Sequence, residues 1–402
     1  MKKRWYILML RIAAMVTGST LKDSGLLLFF VIVPTLYPLL YAYLYTGEVV
    51  HEVPVVVVDE CHDSQSREFL RKSDATPDLR IVSYCNDLNE AKELIHSHKA
   101  YGMIHIPREY SKDLADGRQA TVNLYCDMSG LLYYKALLGG CTHVSLSMNE
   151  NIKMVRLSGL SEREKEVNVM PVQYEYVAMF NPQSGFCTFL LPAILILILQ
   201  QTLVLGISLQ AGTERENRMR GYDIVGHFNA NPMIVLGGKT ISYIFFYTLV
   251  SVYCLCIVPH IFNLIQLWHA RDLIPFMIPY LLACIFFAIT ISFFVKERES
   301  CFLLFVFASV PILFMSGISW PSSNVPAFWK CFSYLFPSTF GINGYVRLTN
   351  TGATLLDVKH EYICLWLQAA FYFMTALVTY IILFRSDYMP DARFIRRRLV
   401  RH

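Results

Sequence analysis

Phe186-Cys187-Thr188-Phe189-Leu190-Leu191-Pro192-Ala193-Ile194-Leu195-Ile196-Leu197-Ile198-Leu199-Gln200-Gln201-Thr202-Leu203-Val204-Leu205-Gly206-Ile207-Ser208-Leu209 runs for 24 residues without an Asp, Glu, Lys or Arg. At about 1.5 Å per residue, a helix of this length reaches past the ~30 Å hydrocarbon core of a bilayer. Inside lipid a helix satisfies every backbone polar group within itself, so such a stretch reads as a membrane-spanning helix. A single apolar run can instead be a buried helix of a soluble protein, so the rest of the chain has to decide.

Five further runs resemble it: about Gly25 to Tyr45, Thr240 to His260, Leu273 to Val295, the short Cys301 to Ile318, and Tyr362 to Phe384. Six in one chain exclude the soluble reading. Composition agrees: the 402 residues are 54% hydrophobic and 16% charged, against roughly 25% charged in soluble proteins. Mean hydropathy is +0.40. The net charge of +4 is modest and the basic residues gather beside apolar runs, so nucleic acid is not an expected partner.

Lys and Arg beside the spans set orientation. With the N-terminus inside, the inner side holds Lys2, Lys3, Arg4, Arg11, Lys22, Arg215, Arg218, Arg220, Lys239, Lys296 and Arg298, followed by a tail rich in Arg from Arg385 to Arg401. The short outer connections hold only Arg271, Lys330, Arg347 and Lys359. Both termini are therefore expected in the cytoplasm. Residues 1–24 read as an amphipathic helix on the inner membrane surface, with Trp5, Leu8, Ile12 and Met15 on one face. The alternative is a cleaved secretory signal, but Arg11 interrupts the apolar run and no clean small-x-small site follows before Lys22.

Residues 46–185 lie between the first two spans and read as an extracytoplasmic domain. Val53-Pro54-Val55-Val56-Val57-Val58 is a β-branched strand. Leu79 to Tyr84, Tyr101 to Ile106 and Ala120 to Cys126 are further strand candidates. Ser64 to Arg71 and Asp87 to His98 carry helical patterns, the second with Leu88, Ala91, Leu94 and Ile95 on one face. Alternating strands and helices predict a small open α/β sheet. Leu131 to about Leu160 is helical, and Glu162 to Glu166 reads as a solvated loop or helix face. Of eleven cysteines, Cys61, Cys85, Cys126 and Cys141 fall in this domain; disulfides and packed free thiols are both open readings.

Chemistry-bearing patterns are sparse. Ile234 to Thr240 invites comparison with a phosphate-binding loop, but Met233 stands where the first Gly is required and no strand precedes it. No ATP binding is expected there. His96 and His98 are two apart, a spacing that does not bring side chains together on a helix, and no further metal ligands are suitably spaced. There is no catalytic constellation. Gln200 and Gln201 sit midway along a span, where they are candidates for a substrate pathway or for hydrogen bonding between helices.

Gly212-Thr213-Glu214-Arg215-Glu216-Asn217-Arg218 follows the second span directly. Thr213 suits a helix cap, with Glu214 and Glu216 in the favourable first turn. The segment reads as a solvated connector or as a lever touching a cytoplasmic partner. It resembles the coupling segment of type-2 ABC exporter permeases, where an apolar helix leads to Glu-Arg-Glu and then to a Gly-Lys pair at the start of the third span, here Gly238-Lys239. The Gly-Thr pair that often follows Glu-Arg-Glu precedes it here. After the fifth span, Ser316-Gly317 to Pro321, then Pro326, Phe336-Pro337-Ser338-Thr339 and Gly341 to Arg347 resemble the outer gate and re-entrant helices of the same family. Broken backbone at membrane depth is tolerated where protein or a water-filled cavity satisfies it.

The resemblance covers essentially the whole chain and implies an α-helical membrane protein of the type-2 ABC exporter fold. Its six transmembrane helices would carry an inserted extracytoplasmic α/β domain. The expected order is an interface helix (1–24), a first span (25–45), the α/β domain (46–185), spans two to six (186–385) and a basic cytoplasmic tail (386–402). Spans two to six would include a coupling loop at 210–233 and a re-entrant segment at 317–347. The resemblance further implies a permease in the cell inner membrane exporting a small or amphipathic substrate, with no cofactor in this chain. ATP and Mg would lie on a separate nucleotide-binding subunit. Other expected partners are a second permease half (the same chain or a paralogue), membrane lipid and a periplasmic adaptor. The alternative is a non-transporting scaffold or receptor whose outer domain binds a ligand or envelope partner.

Overall fold

The computed structural model describes residues 5–47, 49–157, 179–182, 185–219, 231–295, 300–318, 320 and 323–387. Lys2 to Arg4, Glu162 to Glu166, Arg220, Lys296, Arg298, Pro321 and the tail beyond 387 lie outside the described residues. The chain divides into two compact units, residues 47–178 and the remainder.

The chain starts with α1 (Trp5–Lys22). Its buried face is Ile12, Ala13, Val16 and Thr20, while Trp5 is exposed and Met15 half-buried. Asp23 ends α1 and caps the next helix, its carboxylate accepting from the amides of Gly25 and Leu26 at 2.9 and 3.2 Å. That helix, α2, covers Ser24–Leu44 and contains a π turn at Leu28–Ile32.

In the unit 47–178, β1 (Val53–Asp59), β2 (Leu79–Tyr84), β3 (Gly102–Ile106) and β4 (Asn123–Cys126) form one sheet in the order β2-β1-β3-β4. β1 pairs parallel with both neighbours and β4 closes the edge antiparallel to β3. A near-continuous run of valines suits a strand covered on both faces. Val53, Val55 and Val57 pack on α3 (Ser64–Asp74) and α6 (Leu131–Arg156), and Val56 and Val58 pack on α4 (Leu88–His96). α5 (Tyr110–Ala115) completes the unit. The Asp87 carboxylate caps α4 at the amide of Glu90, 2.7 Å away. The fourth strand is shorter than the Ala120 to Cys126 pattern suggested, since only Asn123 to Cys126 find partners on β3.

The remaining unit is helical: α7 (Phe186–Met219), α8 (Pro232–Ile261), α9 (Ala270–Ser292), α10 (Ser300–Met315), α11 (Ala327–Ser333), α12 (Pro337–Asn350) and α13 (Lys359–Asp387). Among the described residues five helices are long and apolar enough to cross a membrane: α2, α7, α8, α9 and α13. The expected fifth span is represented by α10, 16 residues in its described extent and below the ~20 that crossing takes.

α7 is the hub, with 94% of its apolar window buried against 28% for α2 and 22% for α13. Gly206 shows how it is enclosed, because a Cβ there would sit 2.6 Å from the Phe30 ring. Phe30 in turn stacks on Tyr243 of α8 at 5.8 Å between centroids. Small residues that let helices approach closely are the expected device where lipid removes the hydrophobic drive for association.

Candidate functional site

Two corrections to the sequence reading define the first part of the site. Thr213 is not a cap: its hydroxyl donates to the Leu209 carbonyl at 3.0 Å inside α7, which continues unbroken to Met219. Gly212 alone does not break a helix flanked by good helix formers. Glu214, Arg215, Glu216, Asn217 and Arg218 therefore form the last turns of the apolar helix itself. At 34 residues α7 is about 51 Å long, well beyond a ~30 Å core. Likewise Gly238 and Lys239 do not open α8 but lie in its second turn. The helix starts at Pro232 behind an Asn231 cap, whose side chain accepts from the amide of Met233.

These two corrections bring Glu214 and Lys239 together. Lys239 is 4% exposed, and its Nζ lies 2.5 Å from Oε2 of Glu214. The other carboxylate oxygen accepts from Gln210 Nε2 at 3.2 Å, and Gln210 Oε1 accepts from the Tyr243 hydroxyl at 3.0 Å. The ammonium also lies 5.6 Å from the centroid of Tyr380 on α13, within cation–π range. A buried charge persists only when paired and hydrogen-bonded in this way. One turn of α7, two turns of α8 and the end of α13 are thus tied by one polar network.

Gly237 and Gly238 face away from that network onto α1. A Cβ at Gly238 would meet Ile12 at 2.8 Å and the Met9 carbonyl at 2.9 Å, and one at Gly237 would meet Met9 Sδ at 2.6 Å. Thr17 and Ser242 hydroxyls share a hydrogen bond of 2.8 Å across the same contact. The Gly-Gly-Lys run that suggests a phosphate loop is therefore a helix turn, with glycines seating α1 and the lysine held by Glu214. Arg215, Glu216 and Asn217 are half-buried.

The second part lies around Gln200. Its Oε1 accepts from the Ser338 amide at 2.6 Å, so a side chain in the middle of α7 caps the N-terminus of α12. Pro337 occupies the first turn, where its missing N–H costs nothing. α12 then packs tightly through two glycines. A Cβ on Gly341 would sit 2.4 Å from the Tyr280 ring, and one on Gly344 2.3 Å from the Phe276 ring. The Tyr280 hydroxyl donates to the Ile196 carbonyl of α7 at 2.6 Å. Gln201 is also buried, and neither Gln200 Nε2 nor Gln201 Nε2 has a hydrogen-bond partner among the described residues.

The remaining candidates mark turns around α10 to α12. Gly317 ends α10 with φ +87°, a left-handed conformation that favours glycine after a helix. Pro326 caps α11. The turn leading into α12 is fastened to α13, where Gln368 Nε2 donates to the Tyr334 carbonyl at 2.7 Å and the Tyr372 hydroxyl donates to the Leu335 carbonyl.

Elsewhere, His96 and His98 are exposed. The four cysteines of the α/β unit are free thiols. Burial pushes the Cys141 thiol from 9.0 up to about 12 and raises Cys126 and Cys85 as well. Among the described residues no group of three or more His, Cys, Asp or Glu side chains could hold a metal ion.

Sequence reading missed Gln210, Tyr243, Tyr380, Phe276 and Tyr280. Gln210 and Tyr243 had a usable signal, being placed to flank Glu214 and Lys239 at helical spacing. The others depend on which helices neighbour one another.

Comparison with known proteins adds one assignment. The family described as ABC-2 family transporter protein matches residues 24–378. No curated protein matches the chain.

Proposed function

This chain belongs to the ABC-2 transporter family and is a multi-pass membrane permease of an ABC transport system; from that premise we propose that it exports a small or amphipathic substrate. A separate nucleotide-binding subunit supplies the energy and carries ATP and Mg. In this reading the chain pairs with a second permease half, lies in the cell inner membrane with both termini cytoplasmic, and holds residues 47–178 outside. Lys and Arg placement supports that orientation.

The observation that carries the reading is the Glu214–Lys239 pair. An anchor needs no buried charge joining the end of one long helix to the start of the next. A permease driven from below does, because the partner's closure has to move α7 and α8 together. Force applied beyond Met219 is then passed by the pair into both helices. α7 carries it to Gln200 and, through the Gln200–Ser338 bond, to α12 and the turns at Gly317, Pro326 and Pro337 that serve as the outer gate. α12 is the re-entrant element in this account. Its 14 residues give about 21 Å, too short to cross. Gln200 and Gln201 offer amide donors toward a pathway beside α7.

The test is reconstitution. Vesicles holding this chain with its nucleotide-binding subunit should export a reporter amphiphile only when ATP is hydrolysed, and the chain alone should bind no ATP. Saturable nucleotide binding to the purified chain would overturn the division of labour.

A further inference from the structure

A cavity of about 320 Å³ opens between α8 and α9, away from the Gln200 and Lys239 sites. Its walls are almost entirely apolar, with Ile244, Leu255, Leu273, Met277 and Leu281 among them. Ile274 and Ile278 along its rim are half or more exposed. Both walls are helices long and apolar enough to cross a membrane, so the opening lies at the depth of the hydrocarbon core.

Two features distinguish the cavity from an ordinary groove between helices. The first is a π turn at Tyr253–Ile257 in α8, which puts Leu255 and Cys256 into the wall. Gln266 Nε2 reaches back to satisfy the Leu255 carbonyl at 2.9 Å. Such turns occur frequently at functional sites. The second is a pair of orphaned donors on the lining. Ser251 Oγ, on a residue 7% exposed, and Trp268 Nε1 are both buried without a hydrogen-bond partner among the described residues. A buried donor left unmatched costs about 1–3 kcal/mol, so the occupant should bring acceptors.

The dimensions narrow the choice. From Ala270 to Leu282 the lining follows α9 for about 18 Å, close to half of a ~30 Å hydrocarbon core. That is the reach of one acyl chain within its own leaflet. A neighbouring helix would present backbone carbonyls already satisfied within itself, leaving Ser251 and Trp268 unmatched. An ester-linked lipid supplies carbonyl oxygens at the mouth and hydrocarbon below.

We propose that this groove holds an acyl chain of a membrane phospholipid, drawn from the leaflet on the Trp268 side, with its ester carbonyls accepting from Trp268 Nε1 and Ser251 Oγ. The lipid is a resident one, separate from the exported substrate, so its binding stands or falls independently of the transport reading.

The test places the full chain in nanodiscs of phospholipid carrying a photoreactive group on the acyl chain, followed by irradiation and mapping of labelled peptides. Label on the groove segments of α8 and α9 should exceed that at the exposed Phe371 of α13 by about tenfold. Met277→Trp, which fills the cavity, should remove that excess. Trp268→Phe should lower it about tenfold, the equivalent of one hydrogen bond. Even labelling of the groove and Phe371, an excess that survives both variants, or crosslinks from the groove to another polypeptide would each overturn the proposal.

Discussion

Lys239 Nζ sits 2.5 Å from Glu214 Oε2, joining the last turns of α7 to the second turn of α8 across 25 residues of chain. Removing one partner of such a pair leaves a buried charge unmatched, at a cost of about 3–5 kcal/mol for a fully buried pair. Glu214 keeps about a third of its side chain exposed, so the low end of that range applies. Glu214→Gln should lower the thermal stability of the purified protein. Glu214→Gln combined with Lys239→Met should recover most of the loss, read as a melting midpoint in detergent.

Gly344 and Phe276 give a prediction about packing. Phe276 is fully buried and its ring cannot retreat from a new methyl group. Gly344→Ala should destabilise by about 1–3 kcal/mol through overpacking. Phe276→Leu should relieve part of that penalty in the double variant, a non-additivity that thermal unfolding of the four proteins would measure.

Gln200 and Gln201 should separate stability from transport. Gln200→Leu strips the Ser338 amide of its acceptor and should cost about 1–3 kcal/mol. Gln201 leaves Nε2 buried without a described hydrogen-bond partner, so Gln201→Leu should hold or raise the melting midpoint while altering export of polar reporters. Equal loss of stability in both variants would contradict the proposed division of roles.

Cys141 yields a pH prediction. Its pKa rises from 9.0 to about 12, so the folded state disfavours the thiolate. At pH 8 the native thiolate fraction lies well below that of the unfolded chain, and burial of the side chain slows alkylation further. Reactivity should grow with pH up to about 12 in the native protein, whereas the unfolded protein should level off near 9. Mass spectrometry of alkylated peptides would follow both.

Much of this architecture is legible in the sequence. Runs without charge, such as Phe186 to Leu209, locate spans because lipid admits little else, and the valines from Val53 to Val58 locate a central strand because two covered faces demand them. What escaped was what depends on where helices stop and which ones touch. Thr213 is a good cap residue and points to a new helix at Glu214, but nothing between Leu209 and Met219 breaks α7 strongly enough to require one. Gly341 falls in the stretch that resembles a re-entrant helix, but that Gly341 and Gly344 are close contact points of a regular helix is revealed only by the Tyr280 and Phe276 rings. The Gln200–Ser338 bond links residues 138 positions apart, beyond any local pattern.

The central claim is that the Glu214–Lys239 pair transmits the work of a nucleotide-binding partner into the spans. The most direct measurement compares ATP hydrolysis and export in vesicles holding the complete transporter, for the wild type, Glu214→Lys and the charge swap Glu214→Lys/Lys239→Glu. Glu214→Lys should continue to hydrolyse ATP without export, and the swap should restore export. Export at the wild-type rate by Glu214→Lys, in protein shown to be inserted and folded, would contradict it.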